Sequence, residues 1–203
     1  MINYGLIREK ASAFRSTLQN EYGSSRITSF KDLQDIILDK YSLDCIEMQL
    51  GTDPNSIKGL IMKSNRMVTI VVNSDLAEAG KILVVVHEVG HNNLGHLNGL
   101  RVSKLFDNSF HFCKGNGRTS LMENEANFYA ADVLLDDEET LDVIRTYDLA
   151  ASASILNVPI DILDFKLRLL HQTKRFDQYQ DFLSVRSDCL KNIQFEKSAL
   201  DYY

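Results

Sequence analysis

Within the 203 residues, the segment His87-Glu88-Val89-Gly90-His91 has the residue types and the spacing to carry chemistry. Residues i and i+4 of a helix project from one face, so His87 and His91 can offer imidazole nitrogens to a single Zn²⁺. Three protein ligands would leave a fourth position for water, whose pKa zinc lowers toward about 7. Glu88, between the histidines, is placed to take that water's proton as it attacks a peptide carbonyl and to pass it to the leaving amine. A donor set of nitrogens and a carboxylate suits zinc better than the oxygen-seeking Mg²⁺ or Ca²⁺, so one Zn²⁺ per chain is expected.

A third ligand must come from elsewhere. A Gly-x-x-His continuation of the motif would put glycine at 94 and histidine at 97, but the chain has Leu94 and Leu97, with Gly95 and His96 one place out of step. The segment Glu123-Asn124-Glu125-Ala126-Asn127 offers two carboxylates instead. Residues two apart on a helix point about 200° apart, so only one of them can face the metal. Glu123 heads a stripe of Ala126, Asn127, Ala130, Ala131 and Leu134, small residues first, which could lie close against the histidine helix. Glu125 shares its side with Phe128, Tyr129 and Asp132 and stays open as the alternative. The stripe favours Glu123 as the metal ligand, with Asn127 one turn away to support it by hydrogen bonding. Gly90 permits the close backbone approach that such a partner helix needs. His96 and His111 are candidates for supporting a metal ligand or for contacting substrate or the transition-state oxyanion, against the plainer reading that both are loop histidines.

These groups have to be positioned by the elements around them. Residues 3–20 predict a first helix on Leu6, Ile7, Phe14 and Leu18, stopped by Tyr22-Gly23-Ser24-Ser25. Thr28 or Ser29 can cap a second helix through Tyr41, with Phe30, Leu33, Ile36, Ile37 and Lys40 on one stripe. Short strands are predicted at 43–50, 57–62 and 67–72, the last two joined by Lys63-Ser64-Asn65-Arg66. Ile82-Leu83-Val84-Val85-Val86 could be strand or helix by periodicity, and the motif that follows decides for a helix over 76–94. A Gly-containing segment then leads to a helix near 120–135, two shorter ones around 138–155 and 159–173, and an amphipathic tail at 176–195. The expected fold is α+β: a small, mostly antiparallel sheet packed on a zincin-like active-site helix, forming a metallopeptidase domain over 1–136. A helix-turn-helix-like extension over 137–203 packs on or beside it.

Composition excludes several classes. With 22 basic and 28 acidic residues the net charge is −6, and no basic patch stands out for nucleic acid or anionic lipid. Arg8, Glu9 and Lys10 interrupt the N-terminus before an apolar run can build, and no stretch approaches the ~18 apolar residues of a membrane span, so a cytoplasmic protein is expected. Cys45, Cys113 and Cys189 lie far apart and form no CxxC pair, and are read as reduced bystanders.

A strand pair ending in Asn-Ser, then the HExxH helix (VVNSDLAEAGKILVVVHEVGHNNLGH), then ENEANFYAADVLL, resembles the ImmA/IrrE family of metallopeptidases over roughly residues 55–175. The family's motif falls on His87 and His91 as histidine ligands, Glu88 as the catalytic glutamate and Glu123 as the glutamate ligand. The chain departs from the family where Leu135 is followed by Asp136-Asp137 rather than proline, and at Tyr129, where Phe-Ala is usual. The resemblance implies a zinc endopeptidase of bacterial or mobile-element origin that cleaves a partner repressor bearing a helix-turn-helix domain at one site.

The segment from Tyr147 to Leu170 itself has a two-helix cadence, with Asn157-Val158 as the turn and Pro159 opening the second helix. Asp161 and Asp164 sit in the first turns of what would be a recognition helix, where a DNA reader needs neutral or basic groups, so packing or partner docking is expected and direct nucleic-acid binding is not. The acidic run Asp136-Asp137-Glu138-Glu139 is read as a solvated helix start, and His171 as a solvated histidine. The competing reading is a zinc-containing regulatory protein that binds a repressor or DNA without cutting it. An intact Glu88 argues against that.

Overall fold

The computed structural model describes residues 3–24, 26–52, 56–64, 67–98, 102–107 and 118–172, with 102–107, 118–120 and 171–172 as backbone. Their order is α1 (Tyr4–Tyr22), α2 (Phe30–Tyr41), β1 (Leu43–Met48), β2 (Gly59–Ser64), β3 (Met67–Asn73), α3 (Glu78–Asn93), β4 (Val102–Asp107), α4 (Arg118–Leu134), α5 (Asp137–Thr146), α6 (Leu149–Leu156) and α7 (Ile160–Gln172). The fold is α+β, as expected. The sheet runs β1-β3-β2-β4. β1 lies parallel to β3, and the β3–β2 and β2–β4 pairs are antiparallel.

α3 is the centre of the molecule. Every residue from Ile82 to His91 is buried, because the helix packs on β2 and β3 on one side and on α4 and α2 on others. A β-branched run such as Val84-Val85-Val86 has weak helix propensity, at a cost of a few tenths of a kcal/mol per residue. Full burial of each such side chain contributes about 1.5–3 kcal/mol, so tertiary packing decides the matter. α1 docks on α4 through Tyr4, Ile7, Ala11, Phe14 and Leu18. Leu6, assigned to that stripe from its spacing, instead faces out at 42 % exposure. Ser29 caps α2, its side chain accepting from Asp32 N, and Phe30, Leu33, Ile36 and Ile37 are buried as their spacing predicts. The same hydrophobic cluster extends through Leu141, Ile144, Leu156, Leu163 and Leu170 of α5, α6 and α7.

Three expectations are corrected. The sequence predicts no strand after α3, but residues 102–107 add β4 to the edge of β2, from Ser64↔Val102 to Gly59↔Asp107. Residues 138–155 hold two helices, α5 and α6, because Asp148 begins a new one by accepting from Ala151 N. The acidic run is only partly solvated. Asp136 caps α5, accepting from Glu138 N and Glu139 N, whereas Asp137 lies 2.5 Å from Lys166 Nζ. Lys166, its side chain 1 % exposed, also donates to Asp132 Oδ1 at 2.6 Å, and Tyr4 donates to Asp132 Oδ2 at 2.8 Å. This buried ionic knot ties α1, α4, α5 and α7 together. No helix among the described residues is long and apolar enough to cross a membrane. The tail at 176–195, Cys113 and Cys189, and the side chain of His171 lie outside the described residues. Cys45, on β1, is partly buried, and burial pushes its thiol up to about 12, far from thiolate chemistry at neutral pH.

Candidate metal centre

The close contact of α3 with α4 builds the site. A Cβ on Gly90 would stand 2.9 Å from Cδ1, 3.2 Å from Cγ and 3.3 Å from Cβ of Tyr129, so only glycine lets α4 lie this near, as its position in the motif predicts. Tyr129 is itself fixed: it is fully buried, accepts from Asn93 Nδ2 at 2.9 Å and packs on the Phe14 ring at 6.3 Å. Burial raises its phenol well above the ordinary range, so it remains protonated.

With the helices at this separation, three ligand-type atoms converge. His87 Nε2 and His91 Nε2 are 3.1 Å apart, and Glu123 Oε2 lies 3.2 Å from the first and 3.5 Å from the second. The side chains of both histidines are 1 % exposed and that of Glu123 12 %. A tetrahedral ion with bonds of about 2.0–2.1 Å has ligand–ligand edges of roughly 3.3 Å, so this triangle matches the face that a zinc would occupy. His87, His91 and Glu123 are also the one group of three metal-ligand residues that close together among the described residues.

The electrostatics agree with that geometry. Burial holds the His91 imidazole down at about 4, so it is neutral and able to ligate at pH 7. Burial alone would raise Glu123, but the neighbouring His87 and His91 outweigh it and hold the carboxyl at about 2, hence ionised. Two imidazoles and one carboxylate make the borderline donor set of a catalytic zinc, and the residues fit that ion. Glu88 is fully buried on α3 beside His87.

A family model, Peptidase M78, described as the IrrE N-terminal-like domain, matches residues 47–168. The chain belongs to this family. The IrrE-like match takes in all three candidate ligands and Glu88, and it runs through α5, α6 and most of α7. No curated protein and no solved structure matches the chain.

The remaining candidates fall in different places. Asn127 is 1 % exposed on α4, one turn beyond Glu123, and its Oδ1 accepts from no described residue. His111 lies outside the described residues. Glu125, the alternative ligand, is not at the triangle: its Oε2 is 3.0 Å from His96 Nε2. His96 is turned toward the back of the site, with Nδ1 2.8 Å from His91 Nδ1. Spacing templates for ligands missed this pairing, but a signal for it was present in Leu94-Gly95-His96. Gly95 takes φ +78°, His96 N donates to His91 O at 3.0 Å, and Gly95 N donates to Asn92 O at 3.1 Å. These two bonds are the Schellman helix stop, which lays the residue after the glycine over the one five positions earlier.

Proposed function

We propose that this IrrE-like protein is a zinc-dependent endopeptidase that cuts a partner protein at one site, and that the partner is a transcriptional repressor with a helix-turn-helix domain. Membership of a peptidase family supports the hydrolytic part of this reading. The observation that carries it is the convergence of His87 Nε2, His91 Nε2 and Glu123 Oε2 beside a buried glutamate. His87, His91 and Glu123 would hold the metal. A zinc bound there supplies Lewis acidity for a carbonyl oxygen and lowers the pKa of a water.

The chain's own groups do the rest. Glu88 receives the proton of the attacking water on a carboxylate oxygen and returns it to the leaving amine. Asn127 Oδ1 is a buried acceptor with no donor among the described residues. The choice of a repressor as substrate, and of a single cut site in it, rests on the family resemblance.

The test is Glu88→Gln, incubated with a repressor encoded beside this protein. The variant should keep zinc and fold while losing cleavage, because the amide cannot accept the water's proton. It should also retain the substrate as a stable complex. Equal relief of repression by wild type and Glu88→Gln would refute proteolysis and favour a binding regulator.

A further inference from the structure

We propose that Glu125 and His96 form a positioning relay behind the metal site, which fixes the tautomer and the ring orientation of His91. The proposal rests on the reading of His91 as a metal ligand.

Two imidazole nitrogens 2.8 Å apart form a hydrogen bond only if one carries a proton and the other does not. Ligation through Nε2 requires that nitrogen of His91 to be bare, so the proton of the neutral ring sits on Nδ1 and His91 is the donor. His96 Nδ1 is then the acceptor, and its own proton sits on Nε2. That nitrogen faces Glu125 Oε2 at 3.0 Å, an acceptor when ionised. One assignment of protons therefore satisfies the whole chain, from Glu125 through His96 and His91 to the face where the ligand atoms meet.

The surroundings favour this role over a chance contact. The His96 side chain is 6 % exposed and that of Glu125 19 %, so water competes poorly for either bond. The His91 and His96 rings meet edge to face, with centroids 4.9 Å apart and planes at 67°. The backbone turn that carries His96 is already closed by its own bonds to His91 O and Asn92 O, so the imidazole is not needed to hold it. α4 thus reaches His91 at both nitrogens, through Glu123 at Nε2 and through Glu125 and His96 at Nδ1. The two carboxylates leave α4 on different sides, which is why they do not compete for one position.

The experiment measures zinc affinity by chelator competition, and the His91 tautomer by nitrogen-15 NMR of the imidazoles in the zinc-loaded protein. Loss of a group that orients a metal-bound histidine typically costs about 10- to 100-fold in affinity, and that loss is expected for His96→Ala and Glu125→Ala. Glu125→Gln should stay close to wild type, because its amide oxygen still accepts from His96 Nε2. His96→Asn should recover part of the loss, because its Oδ1 can accept from His91 Nδ1. The loaded wild type should show the His91 proton on Nδ1, a reading that needs no variant to fold. A proton on Nε2 overturns the relay, as do wild-type affinities in folded His96→Ala and Glu125→Ala. A wild type that takes up no zinc overturns the metal reading and the relay with it, and this differs from failure of the relay alone, in which the wild type still binds.

Discussion

Gly90→Ala tests whether the spacing of α3 and α4 sets the metal triangle. The new methyl would meet Tyr129 Cδ1 at 2.9 Å and Cβ at 3.3 Å, against ordinary carbon–carbon contacts of about 3.5–4.0 Å. Turning the ring would relieve the first contact but not the second, and the ring is held by Asn93 and by Phe14. The helices must therefore separate by roughly 0.5 Å. Overpacking of this kind costs about 1–3 kcal/mol, and replacing glycine in a helix returns up to about 1 kcal/mol, so the metal-free protein should lose about 0–2 kcal/mol. The effect on the site should be larger. Edges of 3.2 and 3.5 Å from Glu123 would open toward about 4 Å, well past the roughly 3.3 Å of a tetrahedral zinc face. An affinity loss of about 10- to 100-fold is expected, comparable to removing an orienting group. Chelator competition reads the affinity and calorimetry of the metal-free protein reads the stability. A folded Gly90→Ala protein with wild-type affinity would show that the close approach of the helices does not shape the site.

Two further outcomes follow from the buried charges. Asp132→Ala removes the carboxylate bonded to Lys166 and Tyr4, leaving the 1 %-exposed Lys166 with Asp137 alone. Breaking a buried pair from one side costs about 3–5 kcal/mol, so denaturant unfolding should show a loss at the lower end of that range, and a change below about 1 kcal/mol would refute the structural role of the knot. In the metal-free protein, His91 is held at about 4 against an ordinary value of 6.5, so the unfolded chain binds its proton first and stability falls as pH drops from about 6.5 to 4. Glu123, held at about 2, contributes stability that is present above its ordinary 4.5 and is lost as pH falls further toward 2. Melting temperatures that stay flat from pH 6.5 to 4 would contradict the buried neutral His91.

Much of the fold is legible wherever a local signal and the tertiary demand agree. Ser29 caps α2, and Asn157, at φ 54°, ends α6, both at positions that turn and cap chemistry marks. The helix at 82–91 is legible for a different reason: its β-branched run is ambiguous alone, but the two histidines make sense only at helical spacing. β4 was not legible, because Val102-Ser103-Lys104-Leu105-Phe106-Asp107 shows no clean alternation, and an edge strand needs none when its pairing with β2 supplies the order. The partial burial of Asp137 is not legible, because four consecutive acids look solvated. Nothing in that run announces that Lys166, 29 residues later, returns to meet it.

In the candidate site, the small residues that follow Glu123 favour it over Glu125, and Glu123 is the one that meets the histidines, yet the side chain against Gly90 is Tyr129, from the face assigned to Glu125. The pairing of Glu125 with His96 behind His91 follows from no ligand template. The helix stop specifies it. When glycine follows a ligand by four residues and takes the left-handed conformation, the side chain after it lies over the back of the ligand, and if that side chain is an imidazole it meets the nitrogen the metal does not use. In His91-Asn92-Asn93-Leu94-Gly95-His96 the stop therefore specifies the environment of the ligand as directly as the motif specifies the ligand. The histidine that falls one place out of step with a ligand template is in step with the end of the helix.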